Sequence, residues 1–581
     1  MCGIAGVFNV PGIESHHVRE MVNLIHHRGP DEQGVEKFGP VILGHARLAV
    51  VDPENGLQPM SNEDGTVWVS FNGEIYNYVE LREELKTRGH RFKSRCDTEV
   101  LVHLWEEEGE AMLARLIGMF AFFIWDTNTN RGMLVRDRQG IKPCFIADYK
   151  GGFAFASEIK AILSLPDMER KINDEALKEV LCFNYAMPDH TCFAGIVPLE
   201  PGHYLSLDGN GSISKHCYWD WPVFEDKKAV QFEELETLLD DAVRLQMRFD
   251  VKGGMYLSGG VDSSVVASHL KPQWIDHPLE AVGLNFIEPE YSEFKYSQQA
   301  ASHLGIDLLE AKISHEMIPE IADKVSYHAE QPHGDFSFFL NYILARGANR
   351  NNKIVMFTGD GPDESMCGFT HNEAHFKKLG NDEFSAQAYF DLICYMDRDL
   401  RGRVLDPEFN RSTRDPADRF AEILAPWSKL DATEQVQAYE TKYLMLGNNM
   451  VKGDRMGACW STEGRAPFLD HRVSEMLTRL PAEQKIQKGV GKFFLKNYAA
   501  ERYPQELIFK KKGMPTTPIG EWIKGPLYDW ARSILAANED SRFNTAAMLE
   551  LLDEHRDGVA NHTRALRTLI MTQVWLKLYF Q

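Results

Sequence analysis

Residues 254–257 read as a short apolar strand that runs directly into Ser258-Gly259-Gly260-Val261-Asp262-Ser263-Ser264 and then into a helical pattern. A second strand over 281–286, a helix over 296–304 and a third strand over 354–358 continue the alternation. Strands that alternate with helices predict an α/β unit, a parallel sheet with helices on both faces. From about residue 370 the chain reads mainly helical. The preceding part is different. It carries β-type runs at 3–9, 67–70, 119–126, 132–136 and 153–157, with helical patterns at 79–86 and 99–108, which predicts an α+β arrangement of sheets packed on helices. The turn-rich stretch 206–212 and the aromatic and charged residues after it mark a linker. The chain is therefore divided into residues 1–210, a linker over 211–230, and residues 231–581. A length of 581 residues, at roughly 150 residues per domain, suits such a division.

The balance of 63 Lys and Arg against 85 Asp and Glu gives a net charge of −22, which repels nucleic-acid phosphate and anionic lipid. No nucleic-acid or membrane partner is expected, and any phosphate must be held locally. No stretch of about twenty apolar residues is present, and the N-terminus lacks the pattern of a secretory signal, so a cytoplasmic protein is expected. Nine scattered cysteines, none in a CxxC spacing, speak against a disulfide framework or a thiolate zinc site.

Cys2 stands apart by position. Once the initiator Met is removed, its thiol lies beside a free α-amine whose pKa of about 7.7–8 lets it accept the thiol proton. Asn72 and Gly73, read as following a strand, could supply a side-chain amide and a backbone N–H to a developing oxyanion. The order MCGIAG, HRGPD, RLAVVD, FNGEIYN and SRCDTE resembles the N-terminal-nucleophile glutamine amidotransferases over roughly the first 200 residues. The resemblance implies that Cys2 attacks the L-glutamine side-chain amide, with Asn72 and Gly73 forming the oxyanion hole. It further implies that Arg47 holds the substrate α-carboxylate, while Asp97, helped by Glu74, holds its α-ammonium.

The loop 258–264 matches neither a P-loop nor a GxGxxG site, but small residues where a strand meets a helix let backbone N–H groups approach phosphate. It resembles the pyrophosphate loop of enzymes that split ATP into AMP and pyrophosphate. Thr358-Gly359-Asp360-Gly361-Pro362-Asp363-Glu364 again follows a strand, and Asp262 and Asp363 on neighbouring loops could hold magnesium. Together with Asp454-Arg455-Met456, Glu463-Gly464-Arg465-Ala466-Pro467-Phe468, Gly491-Lys492-Phe493 and Lys512-Gly513-Met514-Pro515, these loops resemble the synthetase domain of the glutamine-hydrolysing asparagine synthetase family. The resemblance implies a nucleotide pocket lined by Leu257, Val282, Thr358 and Gly359. It implies that Ser258, Gly259, Gly260, Asp262, Ser263 and Ser264 hold pyrophosphate, and that Lys492 stabilises phosphate charge, a role the run 510–512 could share. It also implies ATP and Mg2+ as cofactors, an ammonia tunnel between the two halves, and a homodimer as a plausible assembly.

Family members usually carry Glu where Asp360 stands, and that Glu is credited with deprotonating the incoming amine. Asp draws the carboxylate back by about 1.5 Å, and a general base must come within about 3.2 Å of its proton. Pro362, Ser365–Phe369, Gly457-Ala458-Cys459-Trp460 and Gly464 also depart from the family's usual form. Three readings stay open. They are amidation of L-aspartate to asparagine, the same chemistry on another carboxylic acid in a specialised pathway, and a glutaminase or binding protein with an inactive synthetase half. His371 and His375 lack the HExxH arrangement and are not read as metal ligands, His26 and His27 read as surface residues, and the acidic residues from Glu373 to Glu440 read as solvated helix faces.

Overall fold

The computed structural model describes residues 1–223, 226–379, 384–510 and 518–581. In the first half, two six-stranded sheets lie face to face. One runs in the order Ile196–Pro198, Phe145–Tyr149, Gly152–Ala156, Gly3–Phe8, Val41–Arg47, Glu32–Phe38; the other runs Ile213–Cys217, His203–Asp208, Arg131–Arg136, Gly118–Asp126, Val67–Ile75, Met60–Ser61. All these pairings are antiparallel.

The period of two along Gly118–Asp126 shows why the layers form. Ala121, Phe123 and Trp125 join Ile4, Phe8, Leu43 and Phe155 in the core between the sheets. Phe120, Phe122 and Ile124 point the other way, into a second core with Leu81, Leu85, Val100, Leu101 and Leu104 of the helices Tyr78–Thr87 and Glu99–Glu108. Successive strand residues face opposite sides, so a run apolar at every position must be covered twice. Helices Ser15–Leu24 and Ile159–Leu163 cover the outer face of the first sheet.

Two local expectations change. The strand read as ending at Ser70 continues through Asn72 and Gly73 to Ile75, because every residue of Val67–Ile75 finds a partner on Gly118–Asp126. The turn-rich 206–212 stretch is a hairpin turn inside the second sheet: Ile213–Cys217 pairs with His203–Asp208, so the segment read as linker begins with a paired strand.

The second half holds a five-stranded, fully parallel sheet in the order Asp307–Ile313, Glu280–Phe286, Gly253–Tyr256, Val355–Phe357, Glu463–Arg465. Chain order reverses between Gly253–Tyr256 and Val355–Phe357, which are neighbours. At such a switch point the loops leaving the two strands diverge and open a crevice at the carboxyl ends. Those loops are 257–260 and 358–361. Much of the remaining chain is helical, including the π-helix Glu440–Asn449 that continues as Met450–Ala458 and the final helix Thr563–Phe580. No helix among the described residues is long and apolar enough to cross a membrane.

Candidate active sites

Cys2 precedes the strand Gly3–Phe8, whose first residue pairs with Ala46, and the Cys2 thiol lies 3.6 Å from the Leu48 carbonyl. Met1 is buried beside it, at 2% exposure. Burial lowers the Met1 α-amine to about 6 and raises the Cys2 thiol to about 11. With Met1 in place the amine belongs to the wrong residue, and the thiol stays protonated near neutrality.

Asn72 lies in the strand Val67–Ile75, fully buried, and neither its amide oxygen nor its amide nitrogen has a hydrogen-bond partner. A buried amide left unmatched is costly unless a ligand completes it. Gly73 has φ +147°, and a Cβ there would lie 2.0 Å from the Met119 carbonyl oxygen, so a side chain does not fit. At the end of the same strand Asp97 accepts the Ile75 N–H at 2.8 Å, and burial pushes its carboxyl up to about 6. The other candidate carboxylate, Glu74, meets Arg465 of the second half at 3.1 Å, and burial holds its pKa above the usual range. Arg47 donates to Glu32 at 2.8 Å and to the carbonyls of Pro53 and Asp52 at 2.9 and 2.8 Å. The arginine proposed for one end of glutamine is thus paired with Glu32, and the two carboxyls proposed for the other are buried with raised pKa values.

In the second half, Lys492 is bonded to the carboxylates of Asp262 and Asp363, at 2.6 and 2.8 Å. Burial works against its charge, but the two carboxylates outweigh that and hold its pKa above the ordinary lysine value. The two loops touch. A Cβ on Gly359 would stand 2.6 Å from the Ser263 nitrogen, so only glycine lets the loops approach this closely. Ser258 and Ser263 hydroxyls lie 3.0 Å apart, and the Ser258 hydroxyl accepts the Gly260 N–H at 3.2 Å. Lys510 donates to the Gly259 carbonyl at 3.0 Å, and burial lowers it to about 8. The rest of the 510–512 run and the motif 512–515 lie outside the described residues.

One cavity of about 460 Å³ joins the halves. Leu257, Ser258, Asp262, Ser263, Val282, Thr358, Gly359, Asp360 and Asp363 line it from the second half, and Met1, Tyr76, Ile117, Met119 and Lys142 line it from the first. Gly259, Gly260 and Ser264, counted with the pyrophosphate loop, are not part of this lining; Ser264 is buried, its N–H bonded to the Gly260 carbonyl and its own carbonyl to the Tyr503 hydroxyl. Asp360 is open to the cavity, and the protein around it raises its pKa by desolvation.

Sequence reasoning missed Glu364. It is buried at the cavity wall, bonded by the Asn449 amide, and burial together with Asp363 raises it to about 8. Its place next to Asp363 in an acidic loop was visible, but its burial depends on Asn449 of the π-helix.

Also unforeseen is a buried ionic network across the two halves. Arg28 donates to the Cys2 carbonyl at 2.9 Å, to Glu158 at 2.9 Å and to both oxygens of Asp454 at 2.8 and 3.0 Å. Arg455 bridges Glu158 and Glu330 at 3.0 and 2.9 Å, and Lys160 joins the same two carboxylates. His27, read as a surface residue, packs on His328 and bonds Glu158 at 3.1 Å because Arg28 draws the turn inward. Glu440, read as a solvated helix residue, is fully buried and accepts from His371 at 3.0 Å, from Asn372 and from Tyr389, whose polar atoms replace water.

Residues 1–219 match the family model of the glutamine amidotransferase domain, and residues 234–577 match that of asparagine synthase. The chain is 29% identical to asparagine synthetase [glutamine-hydrolyzing] 1 of Bacillus subtilis (strain 168), over 99% of this chain and 96% of that protein. It is 31% identical to asparagine synthetase [glutamine-hydrolyzing] 2 of the same organism, over 83% of this chain and 67% of that protein. It is also 28% identical to a protein of Gibberella zeae named amidase chry2, over 91% and 90% of the two chains.

Proposed function

Because the chain belongs to the asparagine synthase family, a family of glutamine-dependent carbon–nitrogen ligases, we propose that it amidates L-aspartate to asparagine through an acyl-adenylate, with AMP and pyrophosphate as products. We divide it into a glutaminase unit that runs through the strand Ile213–Cys217 and a synthetase unit that opens with the helix Phe232–Gln246.

Removal of Met1 gives Cys2 its own α-amine, which takes the thiol proton as sulfur attacks the glutamine amide carbon. The Asn72 amide and the Gly73 N–H receive the charge that develops on the carbonyl oxygen. Arg47 pairs with the substrate α-carboxylate, and Asp97 with Glu74 pairs with its α-ammonium. Ammonia leaves, and water then releases glutamate from the thioester.

In the synthetase unit a substrate carboxylate oxygen attacks the α-phosphorus of ATP and pyrophosphate departs. Of the loop 258–264, Ser258 and Ser263 face the cavity and hold the departing group, with Leu257, Val282, Thr358 and Gly359 around the nucleotide. Lys492 moves charge onto the phosphates from its seat between Asp262 and Asp363. Those carboxylates already gather a cation, and hard oxygen donors with nucleotide oxygens to complete the shell suit magnesium. When bound there, magnesium neutralises phosphate charge. Ammonia crosses the cavity, attacks the acyl carbon and gives up a proton to Asp360, and AMP leaves. An enclosed route matters because the acyl-adenylate is water-sensitive and free ammonia is mostly protonated at neutral pH.

The observation that carries this reading is the single cavity bounded by Met1 and Tyr76 at one end and by Ser258, Asp360 and Asp363 at the other. Its test is pyrophosphate release with ATP, magnesium and glutamine, with and without L-aspartate, followed by mass spectrometry of the products. Aspartate-dependent pyrophosphate with matching asparagine supports it. Asp360 favours a second reading, the same ligation of a different carboxylic acid, because its shorter side chain stands where acid and amine meet. Under that reading aspartate is inert and a screen of other carboxylates restores pyrophosphate release. Failure of every acid points to a glutaminase with an inactive synthetase unit.

A further inference from the structure

Away from both candidate sites, three side chains aim their donor atoms at one point. His90 Nδ1 lies 3.1 Å from His103 Nδ1, His103 Nδ1 lies 3.0 Å from Glu106 Oε2, and His90 Nδ1 lies 3.6 Å from Glu106 Oε2. Glu63 Oε2 stands beside them, 3.6 Å from His103 Nδ1. Donors about 2.0–2.1 Å from a tetrahedral ion are roughly 3.3–3.4 Å from one another, and these separations bracket that edge.

The protons argue in the same direction. His90 Nε2 is 3.0 Å from Glu107 Oε1, and since a carboxylate only accepts, that nitrogen carries the ring proton and Nδ1 presents a lone pair. Glu107 is in turn held by Arg88 at 3.2 Å. Behind the other ring, Glu99 Oε1 lies 3.9 Å from His103 Nε2. Asn62 donates to Glu106 Oε1 at 2.8 Å, which leaves Oε2 to face the imidazoles. A carboxylate hydrogen-bonded behind a ligating histidine, as Glu107 is behind His90, and a hydrogen bond on the ligating carboxylate are what orients the ligands of a metal centre. A single proton can satisfy only one of the facing pairs, whereas a cation satisfies all of them. Among the described residues, no other group of three or more His, Cys, Asp or Glu converges in this way.

We propose that His90, His103 and Glu106, with Glu63 available as a fourth donor, bind a divalent transition-metal ion of the zinc class. Imidazole with carboxylate suits zinc and its neighbours better than magnesium or calcium. His103 is buried while Glu106 is 29% exposed, so the ion reaches the site from solvent. Bound there, it fastens the segment around His90 to the helix Glu99–Glu108, whose first turn follows Asp97.

The test uses the full chain in metal-free buffer, titrated with cobalt(II) as a spectroscopic stand-in and then with zinc. The expected result is one equivalent of four-coordinate cobalt, displaced by zinc, together with a zinc-dependent rise in melting temperature. His90→Ala and Glu106→Gln should each weaken zinc binding by at least the roughly 10–100-fold that loss of even an outer partner costs. Both should keep the metal-free melting temperature and glutaminase activity. If His90→Ala fails to fold, Glu106→Gln carries the comparison. No four-coordinate cobalt in the wild-type chain, or equal affinity in the variants, overturns the proposal.

Discussion

Arg28 and Asp454, 426 positions apart, form a bidentate pair at 2.8 and 3.0 Å in the buried joint between the two halves. The same guanidinium holds the Cys2 carbonyl through Nε at 2.9 Å. The backbone of the candidate nucleophile is thus tied to the helix Met450–Ala458, which helps line the cavity. Breaking a buried pair typically costs about 3–5 kcal/mol, an upper bound here because Glu158 stays on Arg28 at 2.9 Å. Asp454→Asn should therefore lower the unfolding temperature and make more glutamate per amide formed, because the two units lose their register. Calorimetry and a glutamate-to-product ratio check both effects; an unchanged ratio would detach the pair from coupling.

Cys2→Ala should abolish glutamine use and leave ammonia-dependent ligation at the wild-type rate. The check is product formation with glutamine and, separately, with ammonium at high pH. Retained glutamine use would overturn the nucleophile assignment.

Glu364 gives a pH prediction. Its pKa of about 8, raised by burial and then by Asp363, lies above the 4.5 of an ordinary glutamate. The folded chain keeps a proton that the unfolded chain gives up, so this contribution is fully present below about 4.5 and is lost as pH rises through about 8. Glu364→Gln, which mimics the protonated acid, should match the wild type in stability near pH 4.5 and exceed it above pH 8. Denaturant unfolding at the two pH values checks this, and equal stability at both would contradict the raised pKa.

Gly359→Ala should separate the halves functionally. The added methyl meets the Ser263 nitrogen and Asp262 backbone at 2.6 and 2.8 Å, so one loop must move. Overpacking of this kind costs about 1–3 kcal/mol. Pyrophosphate release should fall by at least about tenfold, the equivalent of 1.36 kcal/mol, while glutamine hydrolysis stays intact. Equal loss of both activities would mean a global defect.

The parts legible in sequence were those set by local pattern. The alternation around 254–286 predicted the parallel sheet, and glycine next to serine predicted the loop at its switch point. Strands held by distant partners were not legible. Glu463–Arg465 is three residues with two charges, and it is a strand only because Val355–Phe357 pairs with it. Asn72 and Gly73 look like a turn until Gly118–Asp126 lies alongside. Nothing local in the sequence marks Glu158 or Glu330, and Arg455 stands out only as part of a motif; their convergence is what makes them a buried joint. At the glutamine pocket the residue types could be read, but the ion pair between Glu74 and Arg465 could not, since it depends on how the halves dock.

The central claim is that ammonia released at Cys2 reaches the acid activated near Asp360 through the cavity between the halves, which Met1, the neighbour of Cys2, helps to line. It is tested most directly by supplying glutamine labelled with nitrogen-15 at the side-chain amide in a large excess of unlabelled ammonium, then measuring label in the amide product by mass spectrometry. The account predicts that nearly all product carries the label. Product whose label is diluted to the level of the bulk ammonium pool would contradict it.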